Sequence, residues 1–488
     1  MRNGLMRTAQ SLREGLFLTV LFLGVAAVCS SAARQAPDVP SPPPLPAPSV
    51  QAVEPEPELP EDTDGILQKI SSLLERGDYQ GAIVLFDEIE PEDAALSSIQ
   101  ILKASVLSSA GMYKESRVLV NHIIEMEPAN LEALFVRAAL DGIEGREKEQ
   151  QVTLEGIIKE APAHAGALTE LGKIAARNRS FRNAASYFDR ALASSPDYGD
   201  ALVGRAAVHR HNKELQKAED LLKQAIRLYP QWAVPYSERA RLYRGAGYPA
   251  DALKDLDTAK RLEPDNYWIS YDRGSVLLDL RRRKDALEEF NRAISLDPEN
   301  FLAYVYTAGL KDDMGDPEGA ERDYERLARL NPDYYFAFEG LGLHRMRKQR
   351  WAEARDAFKS AYAKAPDEVY YALLAAFNLL KAGGKQMEVK QLLEPVMRKA
   401  KRDSIDWYLL RLFYDQMGEA DIAQRIDQEQ NLDIKAKTLF YLALYYETKN
   451  NTALSNRYFL QLHDMGQRSF LEWRYSEWIV DERKLAGR

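Results

Sequence analysis

The sequence predicts an all-α fold, a solenoid of about twelve helix–turn–helix pairs closed by a C-terminal helix. Three observations predict it. Eight prolines stand 34 residues apart: Pro128, Pro162, Pro196, Pro230, Pro264, Pro298, Pro332 and Pro366. A column of large apolar residues keeps the same period, through Phe86, Val120, Leu154, Phe188, Leu222, Leu256, Phe290, Tyr324 and Phe358. Four residues before each of these lies Ala82, Ser116, Gln150, Ala184, Ala218, Ala252, Ala286, Ala320 or Ala354, where close packing excludes bulk. A globular core requires no such clock, whereas a fixed period of this length marks stacked helix pairs. One pair cannot bury its own apolar face, so stability comes from its neighbours.

The chain opens with different material. Arg2, Arg7 and Arg13 precede an apolar run from Gly15 to Val28, the pattern of an export signal. The run is short for a membrane span, which takes about 20 residues. It ends at Cys29, the only cysteine. Ala26-Ala27-Val28-Cys29 resembles a lipoprotein signal, which implies lipidation at Cys29. Ser31-Ala32-Ala33 offers a competing cleavage site for a soluble exported form, and an uncleaved anchor is the third reading. Residues 1–28 are therefore read as signal sequence or membrane anchor. Residues 29–62 form a tether, with ten prolines between Pro37 and Pro60. Such composition builds no core and favours an extended, semi-rigid spacer.

Residues 63–466 carry the repeats. Two further columns complete each one. The first reads Ile70, Ala104, Ala138, Gly172, Ala206, Ala240, Gly274, Ala308 and Gly342, small in all but one place, where two helices approach closely. The second reads Ile89, Ile123, Ile157, Ala191, Ala225, Ala259, Ala293, Leu327 and Ala361. In the repeat Ser270–Pro298, a first helix is expected to about Leu280 and a turn at Arg281–Lys284. A second helix is expected over Asp285–Leu296, with Asp285 at the N-cap. The Asp297-Pro298 step ends it, because a residue before proline avoids the α region. Pro249 and Pro317 open second helices, where a missing N–H costs little.

These residues resemble the tetratricopeptide repeat family, whose pattern runs Trp, Leu-Gly, Tyr, Ala, Phe, Ala, Pro at fixed offsets. The repeat Tyr335–Lys364 carries Phe338, Leu341-Gly342, Ala354, Phe358 and Ala361, and Pro366 closes it; Arg345 replaces the tyrosine. Early repeats match more loosely, with Ser116 and Gln150 in the alanine column. The resemblance covers residues 63–466 and implies a right-handed superhelical α-solenoid. After Pro366 the clock loosens. Three more pairs are expected, over Tyr370–Lys399, Ile405–Gln428 and Ile434–Met465. Residues 467–488 are read as a capping helix.

Charge narrows the function. The net charge is −9. Without residues 1–28 it becomes −11, from 62 basic and 73 acidic residues. An acidic chain is a poor general binder of nucleic acid, so no nucleic acid partner is expected. Turns within pairs are basic, as at Arg281–Lys284 and at Arg345, Arg347, Lys348 and Arg350. Turns between pairs are acidic, as at Asp297-Pro298-Glu299. Helix-end electrostatics account for this pattern. A basic edge that meets an acidic partner or anionic lipid is the competing reading.

The resemblance implies a partner-binding groove along the first helices of the pairs. Phe135, Arg210, Arg241, Trp268, Tyr271, Phe336, Met346, Tyr370 and Phe377 occupy those phases. Aromatic residues and arginines are the usual anchors of interfaces. Trp268 and Tyr271 are three apart and share a helix face. No lysine–asparagine pair of the kind that grips a C-terminal carboxylate occurs at the matching positions.

Catalytic patterns are absent from the sequence. It carries no Gly-rich phosphate loop or zinc-helix motif. His209 and His211 face apart on one helix, so no metal site is expected, and no cofactor. The resulting expectation is a non-enzymatic scaffold, exported and membrane-tethered in a bacterial periplasm. It would hold a protein or peptide in envelope assembly, secretion or a transporter complex. The alternative is an accessory binder of a small ligand or cell-wall glycan. Inner or outer membrane, and self-association, are left open.

Overall fold

The computed structural model describes residues 63–466 and 471–485. The apolar run, Cys29 and the proline-rich tether lie outside the described residues. Twenty-six helices and no strand occur among the described residues. They fall into two compact units, one ending at Arg281 and one beginning at Arg282.

The first unit contains α1 (Thr63–Glu75), α2 (Tyr79–Leu85), α3 (Pro91–Ala94), α4 (Ser97–Ser109), α5 (Tyr113–Met126), α6 (Leu131–Ile143) and α7 (Glu147–Glu160). It continues with α8 (Ala165–Arg177), α9 (Phe181–Ser194), α10 (Gly199–His211), α11 (Leu215–Leu228), α12 (Ala233–Gly245), α13 (Pro249–Leu262) and α14 (Tyr267–Asp279). Leaving aside the one-turn helix α3, consecutive helices pack as pairs, α1 with α2 through α12 with α13.

The second unit contains α15 (Arg283–Leu296), α16 (Phe301–Asp313), α17 (Pro317–Leu330), α18 (Tyr335–Arg347), α19 (Trp351–Lys364) and α20 (Val369–Lys381). It ends with α21 (Gln386–Lys399), α22 (Ile405–Tyr414), α23 (Glu419–Gln428), α24 (Leu432–Thr448), α25 (Thr452–Asp464) and α26 (Leu471–Glu482). The pairs run from α16 with α17 to α24 with α25, and α26 packs on the last of them. No helix among the described residues is long and apolar enough to cross a membrane.

All four columns of the repeat are core. The alanine column is buried throughout, Ser116 and Gln150 included. The large apolar column is buried except at Tyr324, which is half-buried. Before each proline of the clock the backbone leaves the helix. Glu127, Ala161, Ser195, Tyr229, Glu263, Asp297, Asn331 and Ala365 all have φ between −126° and −140°. The proline ring forces this on the residue before it.

A second clock runs through the turns within pairs. Gly77, Gly111, Gly145, Arg179, Lys213, Gly247, Arg281, Gly315, Gln349 and Gly383 all have positive φ. They too stand 34 residues apart. Each follows the C-cap of a first helix, where the left-handed region closes the last turn. At all of them but Arg281, the next residue's N–H reaches back to a carbonyl five residues earlier, as from Met112 to Leu107 and from Glu214 to His209, both at 2.9 Å. Four of the ten positions are not glycine, which hid the pattern at the level of sequence.

The helix boundary expected near Asp285 is corrected. The N-cap is Arg282, without a side-chain cap, and the helix begins at Arg283. Asp285 lies in its first turn and accepts from Arg282 Nε at 2.6 Å. Many basic turn residues are neutralised across repeats. Arg244 pairs with Asp279 at 2.6 Å, and both Lys348 and Arg350 reach Glu321 at 2.8 Å. These pairs favour the helix-end reading over a free basic edge.

Candidate functional site

In the first unit, a cavity of about 260 Å³ opens between the first helices of successive pairs. Its lining follows the 34-residue lattice. Lys173, Ala207 and Arg241 occupy one phase, and Asp200, Val234 and Trp268 another. Val203 and Ser237 share a third, which Tyr271 continues. The opening has a simple cause. Where the repeats on either side carry the long chains of Lys173 and Arg241, the middle one carries Ala207, beside Gly204.

The walls are apolar and the rim is charged. Trp232 and Trp268 supply the largest rings. Trp268 is fixed at its backbone, because Asn266 Oδ1 accepts from its N–H at 2.9 Å and from that of Ile269 at 3.4 Å. Its ring meets Tyr271 edge-on at 5.8 Å. Ser237 is 8% exposed, and its hydroxyl has no hydrogen-bond partner among the described residues. An unmet hydroxyl in such a cavity is a ready contact for a ligand's polar group.

Both cations that line the cavity, Lys173 and Arg241, are held by two carboxylates. Lys173 Nζ lies 2.9 Å from Glu170 and 3.1 Å from Asp200. Burial opposes its charge, but the two acids outweigh burial and raise its pKa. Arg241 lies 2.5 Å from Glu238 and 2.8 Å from Asp272, with the same balance and the same direction. Burial in turn raises the carboxyls of Asp200 and Asp272. Arg210 pairs with Glu238 at 3.4 Å. The cavity thus presents no uncompensated cation to an anionic ligand. It suits an apolar side chain with a polar group directed at Ser237.

The sequence-predicted groove residues divide. Trp268 and Arg241 line this cavity, Tyr271 sits against Trp268, and Arg210 lies at its edge. Phe336 and Tyr370 come together at a different cavity, in the second unit. Phe135, Met346 and Phe377 are corrected to core, at 1%, 0% and 0% exposed. The Phe135 ring fills the space left by Gly166 of the next pair, where a Cβ would stand 2.8 Å from it. Met346 Sδ lies 3.4 Å from Asn378 Nδ2, within the interface of α18 and α20. Phe377 is covered because α22 and α24 both pack against α20, closing the face that the repeat phase would leave open. Sequence reasoning missed Lys173, Ser237 and Trp232. The first two share a phase with Arg241 and Tyr271, and that lattice was the available signal.

Residues 157–231, 237–309 and 310–369 match the family model of the tetratricopeptide repeat. The matched spans lie within the repeats described above. The chain is a tetratricopeptide repeat protein. Solved structures are similar to parts of this repeat protein at low sequence identity. The APC/C hetero-tetramer Cut9–Hcn1 is 17% identical, over 65% of this chain and 63% of that one, with a TM-score of 0.50. MamA is 23% identical over 34% of this chain and 97% of its own, with a TM-score of 0.32. YrrB, described as a TPR protein with an unusual peptide-binding site, is 21% identical over 38% and 96%, with a TM-score of 0.33. No curated protein matches the repeat protein in sequence. Proteins of this repeat family bind protein or peptide partners.

Proposed function

We propose that this repeat protein is a non-enzymatic scaffold that holds a protein or peptide segment in the cavity between Trp232, Ser237 and Trp268. Lipidated at Cys29 and spaced by the proline-rich tether, it would work on the extracytoplasmic side of a bacterial membrane. Envelope assembly, secretion and transporter complexes are the settings that suit such an adaptor. The observation that carries the reading is the cavity itself. It is built from first-helix positions on the repeat lattice, it is walled by two indoles, and it contains a buried hydroxyl awaiting a partner. Stacked repeats present this kind of surface for binding.

The test is crosslinking of the tagged full-length protein in its native envelope, beside a Trp268→Ala, Tyr271→Ala variant. A protein captured by the wild type and lost from the variant supports the scaffold. Capture unaffected by the variant overturns this groove as its site. Cys29→Ala should release the protein from membranes; retention would favour an uncleaved anchor. The indole wall and modest volume also fit a small ligand or glycan. A glycan that raises the melting temperature of the wild type but not of Trp268→Ala would favour that second reading.

A further inference from the structure

The second unit contains another cavity, of about 320 Å³, with a different chemistry. Five rings line it, those of Tyr335, Phe336, Tyr370, Tyr371 and Tyr441. Three carboxylates face it, Glu339, Glu368 and Glu472, against a single ammonium, Lys437. The elements that bring them together are distant in sequence. Phe336 and Glu339 come from α18, Tyr370 and Tyr371 from α20, Lys437 and Tyr441 from α24, and Glu472 from α26.

Two of the acids differ in how they are satisfied. Glu339 accepts a hydrogen bond from the Tyr371 hydroxyl. Glu472 is 5% exposed, and among the described residues no other side chain donates to its carboxylate. Its own backbone N–H donates to it, but a buried carboxylate that no side chain meets, beside π-faces, attracts a cation. The chain itself displays the interaction. Lys437 Nζ stands 4.3 Å from the centre of the Tyr370 ring, while the Tyr370 hydroxyl donates to Asp406 at 2.7 Å and Tyr441 stacks on the ring at 5.4 Å. No described carboxylate pairs with Lys437 within 4.0 Å.

We propose that this cavity receives the cationic side chain, lysine or arginine, of a basic segment in a partner protein. The rings offer their negative faces, Glu472 and Glu368 supply the field, and Lys437 is an internal cation that an incoming one displaces. An anionic ligand would meet three carboxylates, and an apolar one would leave Glu472 buried with no side chain meeting its charge. The proposal rests on the scaffold reading and adds a second contact of defined chemistry.

Its pH dependence has a fixed sign. Burial pushes the Glu472 carboxyl up to about 7, with the backbone hydrogen bond and Lys437 opposing and Glu339 and Glu368 reinforcing. Burial also raises Glu339, against the Tyr371 hydrogen bond and Arg474. Below that range Glu472 is neutral and the cage loses charge. Cation binding therefore tightens as pH rises through about 7.

The experiment uses the full chain and a fluorescent hexapeptide of alternating glycine and lysine, with its glycine–glutamate counterpart as control. Fluorescence anisotropy should show the lysine peptide bound and the glutamate peptide not. Tyr370→Leu and Glu472→Gln should each weaken binding by about tenfold or more, a loss of about 1.4 kcal/mol. Lys437→Met should tighten it several-fold, a gain that misfolding cannot produce. Absence of lysine-peptide binding overturns the proposal. Binding of the glutamate peptide, lost in Lys437→Met, overturns it in favour of an anion site. Lysine-peptide binding that survives both cage variants but fails in Trp268→Ala also overturns it, and leaves the scaffold reading standing.

Discussion

A Cβ on Gly342 would lie 2.6 Å from the ring of Phe358, sixteen residues later on the partner helix. The ring occupies the space that a side chain at Gly342 would need. Gly172 and Phe188 repeat the relationship at 2.7 Å. The sequence follows the same rule elsewhere. Where the small column holds Ala206 or Ala240, the large column holds Leu222 or Leu256. In these repeats the two columns act as one packing device with two solutions, Gly with Phe or Ala with Leu, while Ile70 with Phe86, Ala104 with Val120 and Ala308 with Tyr324 depart from it.

Gly342→Ala should therefore destabilise the second unit. Overpacking costs about 1–3 kcal/mol, offset by about 1 kcal/mol of helix propensity. Adding Phe358→Leu converts one solution into the other. The double variant should be more stable than the sum of its single effects. Additive values in a urea-denaturation cycle would show that the two residues are not coupled.

Ala286→Leu places three extra carbons at a fully buried position of α15. The expected loss is about 1–3 kcal/mol. A neutral result in thermal denaturation would contradict the register of the alanine column.

The turn clock gives a paired prediction. Gly111→Ala forces a side chain into positive φ and should cost about 1–2 kcal/mol. Lys213→Gly relieves the same strain at φ 62° and should leave stability unchanged or improved. Equal losses in both variants would separate the turns from their backbone conformation.

Glu321 sets an acid limit. Burial opposes its charge, but Lys348, Arg350 and His344 outweigh burial and hold its carboxyl below the usual range. A depressed folded-state pKa gives stability that is present above the unfolded value of 4.5 and is lost as pH falls through the folded one. The melting temperature should drop below about pH 4.5, and Glu321→Gln should flatten that limb while lowering stability at neutral pH. An unchanged acid profile in the variant would assign the limb to other groups.

The period, the helix pairs and the four buried columns were legible in the sequence, because each is a local demand repeated every 34 residues. A helix phase states which face a residue occupies, and Trp268 and Arg241 do lie on a cavity wall. It does not state what covers the face. Phe135 is buried because Gly166 of the next pair admits its ring, and Phe377 because α24 returns over α20. The two cavities were likewise decided by tertiary structure. One exists because Ala207 stands between two longer chains. The other exists because α24 and α26 carry Lys437 and Glu472 to rings on α18 and α20. Periodicity fixes neighbours one repeat away; burial and electrostatic potential depend on every element that arrives at the same place.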